Sequence, residues 1–263
     1  MLKLNYTNIY AREALKMELK YTVPEITPET LESYVHTNYK ELNCTPKSIV
    51  VIFHGLGSCG MKHDNGELEK RLAENGVLSI YPYYGPWSWM NAQAIRFVDK
   101  VIEVACARHG LDPDTTPIII EGGSMGGHSA LVYTRYAKRT PKACVTNCPV
   151  CDFAFHATER EDLPRTVYLA FEGTNLSLEE EIMLHSAYHL APTMPDIPYV
   201  VLHGDKDGAV NKEIHSDRFV KVMRELGRNI EYIEVEGMEH CWFEPFPEAK
   251  EKYYSAIVDF ATR

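Results

Sequence analysis

One serine of the sequence is flanked by glycines at the point where an apolar segment gives way to a helical pattern. Gly122, Gly123, Ser124, Met125 and Gly126 fit the motif G-x-S-x-G, and the residues before them read as a buried strand. A serine on such a sharp turn needs neighbours without a Cβ, because strand and helix pass close together there. The helix N-terminus also favours negative charge that develops beside the hydroxyl. The pattern predicts Ser124 as a nucleophile, with a purely structural glycine turn as the alternative.

A serine nucleophile requires a general base, and the base requires a carboxylate that orients it. Asp205 and Asp207 follow one apolar segment, and His240 follows the last apolar segment, behind a glycine. The order serine, acid, histidine is that of the α/β-hydrolases. His128, one helical turn after Ser124, is the rival base, but it would point along the nucleophile helix. The residues therefore predict His240 as the base and leave the choice between the two aspartates open.

Four motifs make the chain similar to an α/β-hydrolase, and most similar to the catalytic domain of the prolyl-oligopeptidase and dienelactone-hydrolase branch. They are HG at 54–55, GGSMGG at 122–127, HGDKDGAV at 203–210 and GMEH at 237–240. The resemblance spans residues 48–240. It implies that Asp207, the aspartate of H-G-x-x-D-x-x-V, is the acid of the triad and that Asp205 braces its loop.

The same resemblance implies an oxyanion hole. It places the two donors at the backbone N–H of Leu56, just after the His-Gly pair, and at the backbone N–H of Met125, just after the nucleophile. Two N–H groups aimed at a tetrahedral oxyanion would each lower the reaction barrier by about 3 kcal/mol. An ordinary glycine-rich turn at residues 54–58 is the alternative.

Apolar segments alternate with amphipathic helical patterns along most of the chain. This alternation predicts an α/β fold with a doubly wound, mainly parallel sheet. The expected strands are Ser48–His54, Val77–Tyr83, Pro117–Glu121, Ala143–Cys148, Pro198–His203 and Ile230–Val235. The expected helices are Glu67–Asn75, Ala92–His109, Met125–Lys138, Lys212–Leu226 and Glu248–Ala261.

Two segments depart from this alternation. Lys16–Val23 and Leu31–Thr37 alternate apolar and polar residues around a turn with proline, which predicts an N-terminal antiparallel hairpin. The stretch between two predicted strands from Cys151 to Asp196 is too long for a plain connection. We interpret residues 152–196 as a small cap inserted into a single α/β-hydrolase domain that comprises residues 1–263.

An aromatic loop leads from a predicted strand into a long helix. It runs from Tyr81 to Asn91 and carries Trp87 and Trp89. In the family this loop lies beside the catalytic site, so both tryptophans are candidate substrate contacts. The alternative is that these rings pack the cap against the sheet.

Three cysteines have a spacing that could hold a cofactor. Cys144, Cys148 and Cys151 match C-x3-C-x2-C, the spacing with which radical S-adenosylmethionine enzymes ligate an iron–sulfur cluster. In those enzymes the motif lies on an early loop and has an aromatic residue before its last cysteine. Here it lies mid-chain on a predicted buried strand, and that position holds Val150. The sequence therefore predicts that these three cysteines are buried thiols.

Composition limits the partners of the protein. The 263 residues include 27 Lys and Arg against 37 Asp and Glu, a net charge of −10 that disfavours nucleic acids and anionic membrane surfaces. The sequence has no apolar run of about 18 residues and no signal-peptide pattern. Seven cysteines at irregular spacings favour a reducing cytoplasm over a disulfide framework. Acidity and aromatic residues are compatible with a homodimer.

Together these patterns predict a serine carboxylesterase that acts on small or medium esters, with acetylated or feruloylated sugars among the candidates. The mechanism needs neither a metal nor an organic cofactor. A peptidase or aminoacyl hydrolase is the alternative, although peptidases of this branch usually carry a large propeller that does not fit before residue 48. The remote alternative is a non-catalytic binding module, which a filled set of triad positions disfavours.

Overall fold

The computed structural model describes residues 23–58 and 60–263, and seven strands in this part of the chain form one sheet. They are β1 (Val35–Thr37), β2 (Ser48–Phe53), β3 (Val77–Pro82), β4 (Ile118–Gly123), β5 (Ala143–Asn147), β6 (Tyr199–Gly204) and β7 (Ile230–Val235). Their spatial order is β1-β3-β2-β4-β5-β6-β7. Every neighbouring pair is parallel except β1 and β3. The predicted α/β class and mainly parallel sheet are confirmed.

Helices connect the strands within the described residues. They are α1 (Glu67–Glu74), α2 (Ala92–His109), α3 (Met125–Tyr136), α4 (Phe153–Glu159), α5 (Leu163–Phe171), α6 (Leu178–Leu184), α7 (Ala187–Leu190), α8 (Arg218–Glu225) and α9 (Pro247–Thr262). A π-helical turn, Glu213–Asp217, precedes α8, so the segment expected as one helix from residue 212 to residue 226 is divided. No helix in this part of the chain is long and apolar enough to cross a membrane.

The core consists of two apolar layers, one on each face of the sheet. In β2 the side chains of Ile49 and Val51 belong to one layer and those of Val50 and Ile52 to the other, because successive side chains of a strand point to opposite faces. Helices α2, α3 and α8 cover the first face, and α1 and α9 cover the second. Both faces are therefore shielded, which explains the continuous apolar runs of the central strands.

The edges of the sheet differ from the sequence expectation. The segment from residue 16 to residue 22, half of the expected hairpin, lies outside the described residues. Of its expected partner, Leu31–Ser33 is a 3₁₀ turn, and only β1 is a strand, with Val35 paired to Pro82 of β3. The antiparallel pair at this edge thus joins distant segments. At the other edge β7 is partly exposed, unlike the central strands, because no strand of the described residues covers its outer side.

Residues 152–196 contain the helices α4 to α7, which pack beside the sheet's carboxyl edge. Phe153 of α4 contacts the ring of Trp89, with 4.8 Å between ring centroids. The indole N–H of Trp89 donates to Thr166 Oγ1 over 3.0 Å, and the side-chain amide of Asn91 donates to the carbonyl of Ala170 over 2.7 Å. These contacts fasten the segment to the loop between β3 and α2. Its description as a cap domain stays a prediction.

Candidate active site

Ser124 lies on a sharp turn between β4 and α3. Its backbone has φ 59° and ψ −126°, a conformation that a residue with a side chain rarely adopts. The N–H of Ser124 donates to the carbonyl of Asn147 over 2.9 Å, which ties the turn to the end of β5. The strained turn lifts the hydroxyl out of the sheet at the N-terminus of α3. This is the local geometry that the G-x-S-x-G pattern requires.

Two glycines of the motif are required by close backbone approach. A Cβ on Gly122 would overlap the backbone carbonyl of Gly126, and a Cβ on Gly126 would overlap the carbonyl of Phe53 at the end of β2. Since backbone atoms cannot swing aside as the end of a long side chain can, only glycine fits at both positions. The turn therefore depends on the closeness of β2, β4 and α3.

The tertiary structure brings the three residues proposed as a triad into one hydrogen-bonded chain. The Oγ of Ser124 lies 2.8 Å from Nε2 of His240, and Nδ1 of His240 lies 2.7 Å from Oδ2 of Asp207. With Nδ1–H donating to the carboxylate, Nε2 of a neutral His240 has a lone pair to accept the serine proton. The arrangement can perform nucleophilic chemistry of the serine-hydrolase type.

Asp207 is held by four donors. Its Oδ1 accepts from the backbone N–H of Ala209 and of Val210, each over 2.9 Å. Its Oδ2 accepts from Nε2 of His203 over 3.1 Å as well as from His240. Burial opposes ionisation of this carboxyl, but the hydrogen bonds from His203 and His240 outweigh it and hold the pKa of Asp207 well below its usual range. Asp207 is therefore a fixed carboxylate at neutral pH.

The same contact changes the acidity of His240. Burial alone would lower the pKa of this imidazole, but the hydrogen bond to Asp207 and its negative charge outweigh burial and raise the pKa above the ordinary histidine value. The raised pKa makes the imidazole a stronger proton acceptor when it is neutral. It also means that the imidazole loses its proton, and so becomes available as a base, only at a higher pH.

A cavity of about 500 Å³ opens beside the serine. Residues from β2, β3 and β4 and from the segments that follow β2, β4, α4 and β7 line it: Ile52, Phe53, His54, Gly55, Leu56, Tyr81, Glu121, Gly123, Ser124, Arg160, His240 and Cys241. Leu56 is thus placed on the cavity wall together with Ser124, and Met125 is the first residue of α3. The first N–H groups of a helix have no partner inside the helix. The oxyanion roles of Leu56 and Met125 stay predictions that this placement favours.

The sequence profile of the prolyl oligopeptidase family matches residues 98–263, more than half of the chain. The protein belongs to the prolyl oligopeptidase family. The expected resemblance to the α/β-hydrolases of this branch is therefore confirmed. A sequence search of curated proteins finds no match.

Solved structures of peptidases and esterases share the fold of this prolyl oligopeptidase family member. An acylaminoacyl peptidase of Pyrococcus horikoshii superposes with a TM-score of 0.70 at 15% identity, over 84% of this chain and 38% of that chain. A puromycin-hydrolyzing peptidase of Mycobacterium tuberculosis gives 0.64 and 17%, over 82% and 35%. A thermophilic esterase of Thermogutta terrifontis, Est2, gives 0.61 and 20%, over 87% and 88%. The chain therefore spans little more than a third of the peptidases' length.

Two expected substrate contacts of this family member are not at the cavity. Trp89 is wholly buried between Phe153, His128 and His156, so the expectation that it contacts substrate is wrong. Its indole N–H needs a partner when buried and finds one in the hydroxyl of Thr166, which explains why the ring points inward. Trp87 is partly buried against the same core and is not among the residues that line the cavity.

The other candidates for acid and base have different surroundings. His128 is buried between the carbonyls of Val150 and Trp89, and burial lowers its pKa to about 3. An imidazole that stays neutral and has no contact with the serine hydroxyl is a packing residue. Asp205 accepts from the N–H of Gly237 and pairs with Lys206, as expected of a brace for the loop.

The three cysteines of the C-x3-C-x2-C spacing do not converge. Cys144, Cys148 and Cys151 are all buried free thiols. Within the described residues, no set of potential metal ligands combines Cys144 with Cys151. Cys148 instead approaches Cys241, whose N–H donates to the sulfur of Cys148 over 3.4 Å. The structure thus supports the interpretation of these residues as buried thiols.

Sequence reasoning missed several residues of the site. The contact of His203 with Asp207 adds a second imidazole to the acid. Arg160 reaches the cavity from a segment without a motif, Tyr81 is the first residue of the aromatic loop, and Glu121 directly precedes Gly122. Burial raises the pKa of Glu121 to about 7, opposed by the hydroxyl of Tyr253, which donates to Oε1. No local signal in the sequence places Arg160 at the cavity, because it comes from a segment far from the nucleophile in the chain.

Proposed function

We propose that this member of the prolyl oligopeptidase family is a serine hydrolase that cleaves carboxylic esters of small or medium size through an acyl-enzyme on Ser124. The observation that carries the proposal is the hydrogen-bonded chain from Ser124 Oγ through His240 to Asp207 beside an open cavity. Each group is within the distance at which a proton can pass between hydroxyl and imidazole.

The proposed reaction begins with proton transfer. As the hydroxyl of Ser124 attacks the ester carbonyl, Nε2 of His240 takes its proton, and Asp207 holds the imidazole in the right tautomer and stabilises its cation. The imidazolium then donates this proton to the alcohol that leaves. A water molecule loses a proton to His240 and attacks the acyl-enzyme, which releases the acid and restores the serine.

Backbone donors complete the proposed mechanism. The N–H groups of Leu56 and Met125 would bind the oxyanion of each tetrahedral intermediate, where negative charge develops beside the N-terminus of α3. His54 supports the backbone at Leu56. Its ring stacks on Tyr84 with 4.1 Å between centroids, and the hydroxyl of Tyr84 donates to the carbonyl of His54 over 2.9 Å. These contacts fix the backbone that carries Leu56.

An ester substrate is favoured by the lining of the cavity and is compatible with the likeness to an esterase. The superposition on the Thermogutta esterase covers 87% of this chain. The cavity is walled by Ile52, Leu56 and Tyr81 and has the charged Arg160 at its rim, a lining that suits a compact acyl or aryl group. Peptide or aminoacyl cleavage is the second candidate, since the peptidase likenesses favour it equally by fold.

The test is hydrolysis of p-nitrophenyl esters from acetyl to octanoyl, of methyl ferulate and of an aminoacyl anilide. Wild type is compared with Ser124→Ala and with Ser255→Ala, a control serine on α9 whose hydroxyl contacts Arg71 and Glu251. We expect ester turnover to fall by about 10³-fold or more in Ser124→Ala and to stay near wild type in the control.

The outcomes separate the candidates. Faster turnover of the anilide than of every ester would assign the enzyme to the peptidases. Equal activity of Ser124→Ala and wild type would remove Ser124 as the nucleophile. Preference among acyl lengths measures the size of the cavity that binds the acyl group.

A further inference from the structure

Two thiols lie next to the proposed base. The sulfurs of Cys148 and Cys241 and a ring nitrogen of His240 all lie within 4.8 Å of one another. Nε2 of His240 is 4.0 Å from the sulfur of Cys241. The mechanism proposed for Ser124 uses neither thiol, so this cluster needs its own explanation. Two thiolates and an imidazole are a ligand set that binds Zn²⁺ and other thiophilic cations.

The tautomer of His240 leaves the right nitrogen available. Nδ1 donates its proton to Asp207 over 2.7 Å, so the lone pair of the neutral ring is on Nε2, the nitrogen that faces Ser124 and Cys241. A carboxylate that accepts from the far nitrogen is the usual support of a metal-binding histidine, because it orients the ring and raises its basicity. The contact that prepares His240 as a base prepares it equally as a ligand.

The separations are close to those of a tetrahedral site. Bond lengths of about 2.3 Å to sulfur and about 2.0 Å to nitrogen place the ligand atoms of such a site roughly 3.5–3.8 Å apart. Atoms that now lie within 4.8 Å would need to approach by about 1 Å or less, a shift that side-chain rotation can supply. The fourth position faces the cavity on the side of Ser124, where water or the serine hydroxyl can complete the coordination.

An ion can reach this position. Cys241 and His240 both line the cavity, whereas Cys148 lies wholly buried behind them. A cation that enters from the cavity meets His240 and Cys241 first and then Cys148. On binding, each thiol releases one proton to solvent as its bond to the metal forms, and no electron is transferred.

Two other clusters of ligand-type residues in the described part of the chain lack this capacity. In the first, Nε2 of His203 faces the oxygens of Asp207 and Val210, so it carries a proton and has no lone pair to offer. Cys148 belongs to this cluster as well, but without His203 only two ligands remain.

The second cluster is formed by His156, Glu159 and His215. Nδ1 of His215 accepts from the N–H groups of Cys151 and Asp152, so its Nε2 carries the proton and donates to Glu159. This histidine is committed on both nitrogens. The cluster is a hydrogen-bonded network of the fold.

We propose that Cys148, Cys241 and His240 form an inhibitory site for a thiophilic divalent cation such as Zn²⁺. Occupancy would withdraw Nε2 of His240 from Ser124 and so stop proton transfer. The inhibitory effect rests on the function proposed above, whereas the binding of the cation does not. The two parts are therefore measured separately.

Binding is measured with Cd²⁺ as the probe, through the ultraviolet charge-transfer absorption of thiolate–Cd²⁺ bonds, on the full chain kept reduced. We expect one Cd²⁺ to bind wild type, Zn²⁺ to displace it, and Cys241→Ser to weaken binding by at least about 10-fold. Cys44→Ser, which removes an exposed thiol outside the cluster, should bind as wild type does. Cys148→Ser is a second test, and a folded Cys148→Ser that binds as tightly as wild type overturns the proposal.

Inhibition is measured as the residual rate of the preferred substrate against Zn²⁺ concentration, with each variant normalised to its own uninhibited rate. We expect wild type and Cys44→Ser to be inhibited alike, EDTA to restore the rate, and Cys241→Ser to need at least about 10-fold more Zn²⁺. Equal inhibition of Cys241→Ser and wild type overturns the proposal.

Two further outcomes are decisive. Absence of the charge-transfer band from wild type, with activity that falls under oxidant and returns with a thiol reductant, would replace the metal site by a disulfide between Cys148 and Cys241. Cd²⁺ binding that depends on Cys241 in a protein with no turnover of any ester or anilide would support the site and contradict the proposed function.

Discussion

Asp207 shows how much of the site depends on the hydrogen bonds of one residue. Both of its carboxylate oxygens accept, Oδ1 from two backbone N–H groups and Oδ2 from two imidazoles. A hydrogen-bond donor placed at the position of either oxygen would therefore face another donor. The same contacts keep the carboxylate ionised and orient His240 toward Ser124.

The change Asp207→Asn tests this residue. The amide has one NH₂ group, which would face either the N–H groups of Ala209 and Val210 or the Nδ1–H of His240, so either the loop or the tautomer must change. We expect kcat to fall on the order of 10³–10⁴-fold with a small effect on KM. The control is Asp205→Asn, which alters an exposed brace and should leave kcat within a few-fold. Equal losses in both variants would contradict the role of Asp207.

The raised pKa of His240 gives a pH prediction with a definite sign. The base must be unprotonated to accept the serine proton, so kcat/KM should rise with pH through the pKa of His240. Because Asp207 raises this pKa above its ordinary value of 6.5, the midpoint of the acid limb should lie above pH 6.5. The measurement is a profile of kcat/KM from about pH 5 to pH 10. A midpoint at or below 6.5 would show that Asp207 does not have this effect.

At the scale of elements, the junction of β2, β4 and α3 controls the position of the nucleophile. The elements approach so closely at Gly126 that its missing Cβ makes room for the carbonyl of Phe53. Strand and helix bounds were largely predictable here, because continuous apolar runs mark the buried strands. Asn91 and Gly110 likewise mark the ends of α2, Asn91 by accepting from the N–H of Ala94 and Gly110 by its φ of 68°.

The change Gly126→Ala tests the junction. The added Cβ would overlap the backbone of Phe53 and His54, so β2 and α3 must move apart. We expect the free energy of unfolding to fall by about 1–3 kcal/mol and kcat to fall with it, since the shift displaces Ser124. Urea unfolding and ester turnover measure the two effects. Gly60→Ala, where a Cβ meets open space, is the control, and an equal loss of stability in it would contradict the explanation.

At the scale of the whole molecule, Glu159 joins segments that are far apart in the chain. It accepts from Nδ1 of His156 in the same helix over 2.6 Å, from Nε2 of His215 over 3.1 Å and from the N–H of Asn211 over 2.9 Å. Asn211 immediately follows the loop of Asp207, and the next residue after Glu159 is Arg160 of the cavity. Residues 152–196 are thus connected to the loop that carries Asp207. The association of two copies of the chain as a homodimer stays a prediction.

The change Glu159→Gln tests this connection. Burial opposes ionisation of Glu159, but hydrogen bonds from His156 and His215 outweigh it and lower its pKa. A lowered pKa stabilises the fold above the unfolded value of about 4.5, and this stabilisation is lost as pH falls toward the lower folded value. We expect Glu159→Gln to unfold about 1–3 kcal/mol more easily at pH 7, with a smaller difference below about pH 4.

The control for Glu159→Gln is Glu161→Gln, an exposed residue two positions away. Urea midpoints at pH 7 and at acid pH measure both variants. A difference between Glu159→Gln and wild type that is the same at both pH values would mean that the charge of Glu159 is not what joins the segments.

Local pattern was sufficient to predict the fold class, the central strands, the nucleophile turn and the pair of Ser124 and His240, whereas the choice of Asp207 over Asp205 rested on the family resemblance. These features depend on runs of apolar residues, on glycines at a strained turn and on residue order, all of which are visible along the chain. Which side chains are buried, and which ones come together in the fold, is not visible along the chain. Trp89 has an aromatic side chain in a loop, and only the packing of residues 152–196 determines that it lies inside. Cys148 and Cys241 are 93 positions apart, and they meet because β5 and the loop after β7 end at the same edge of a parallel sheet.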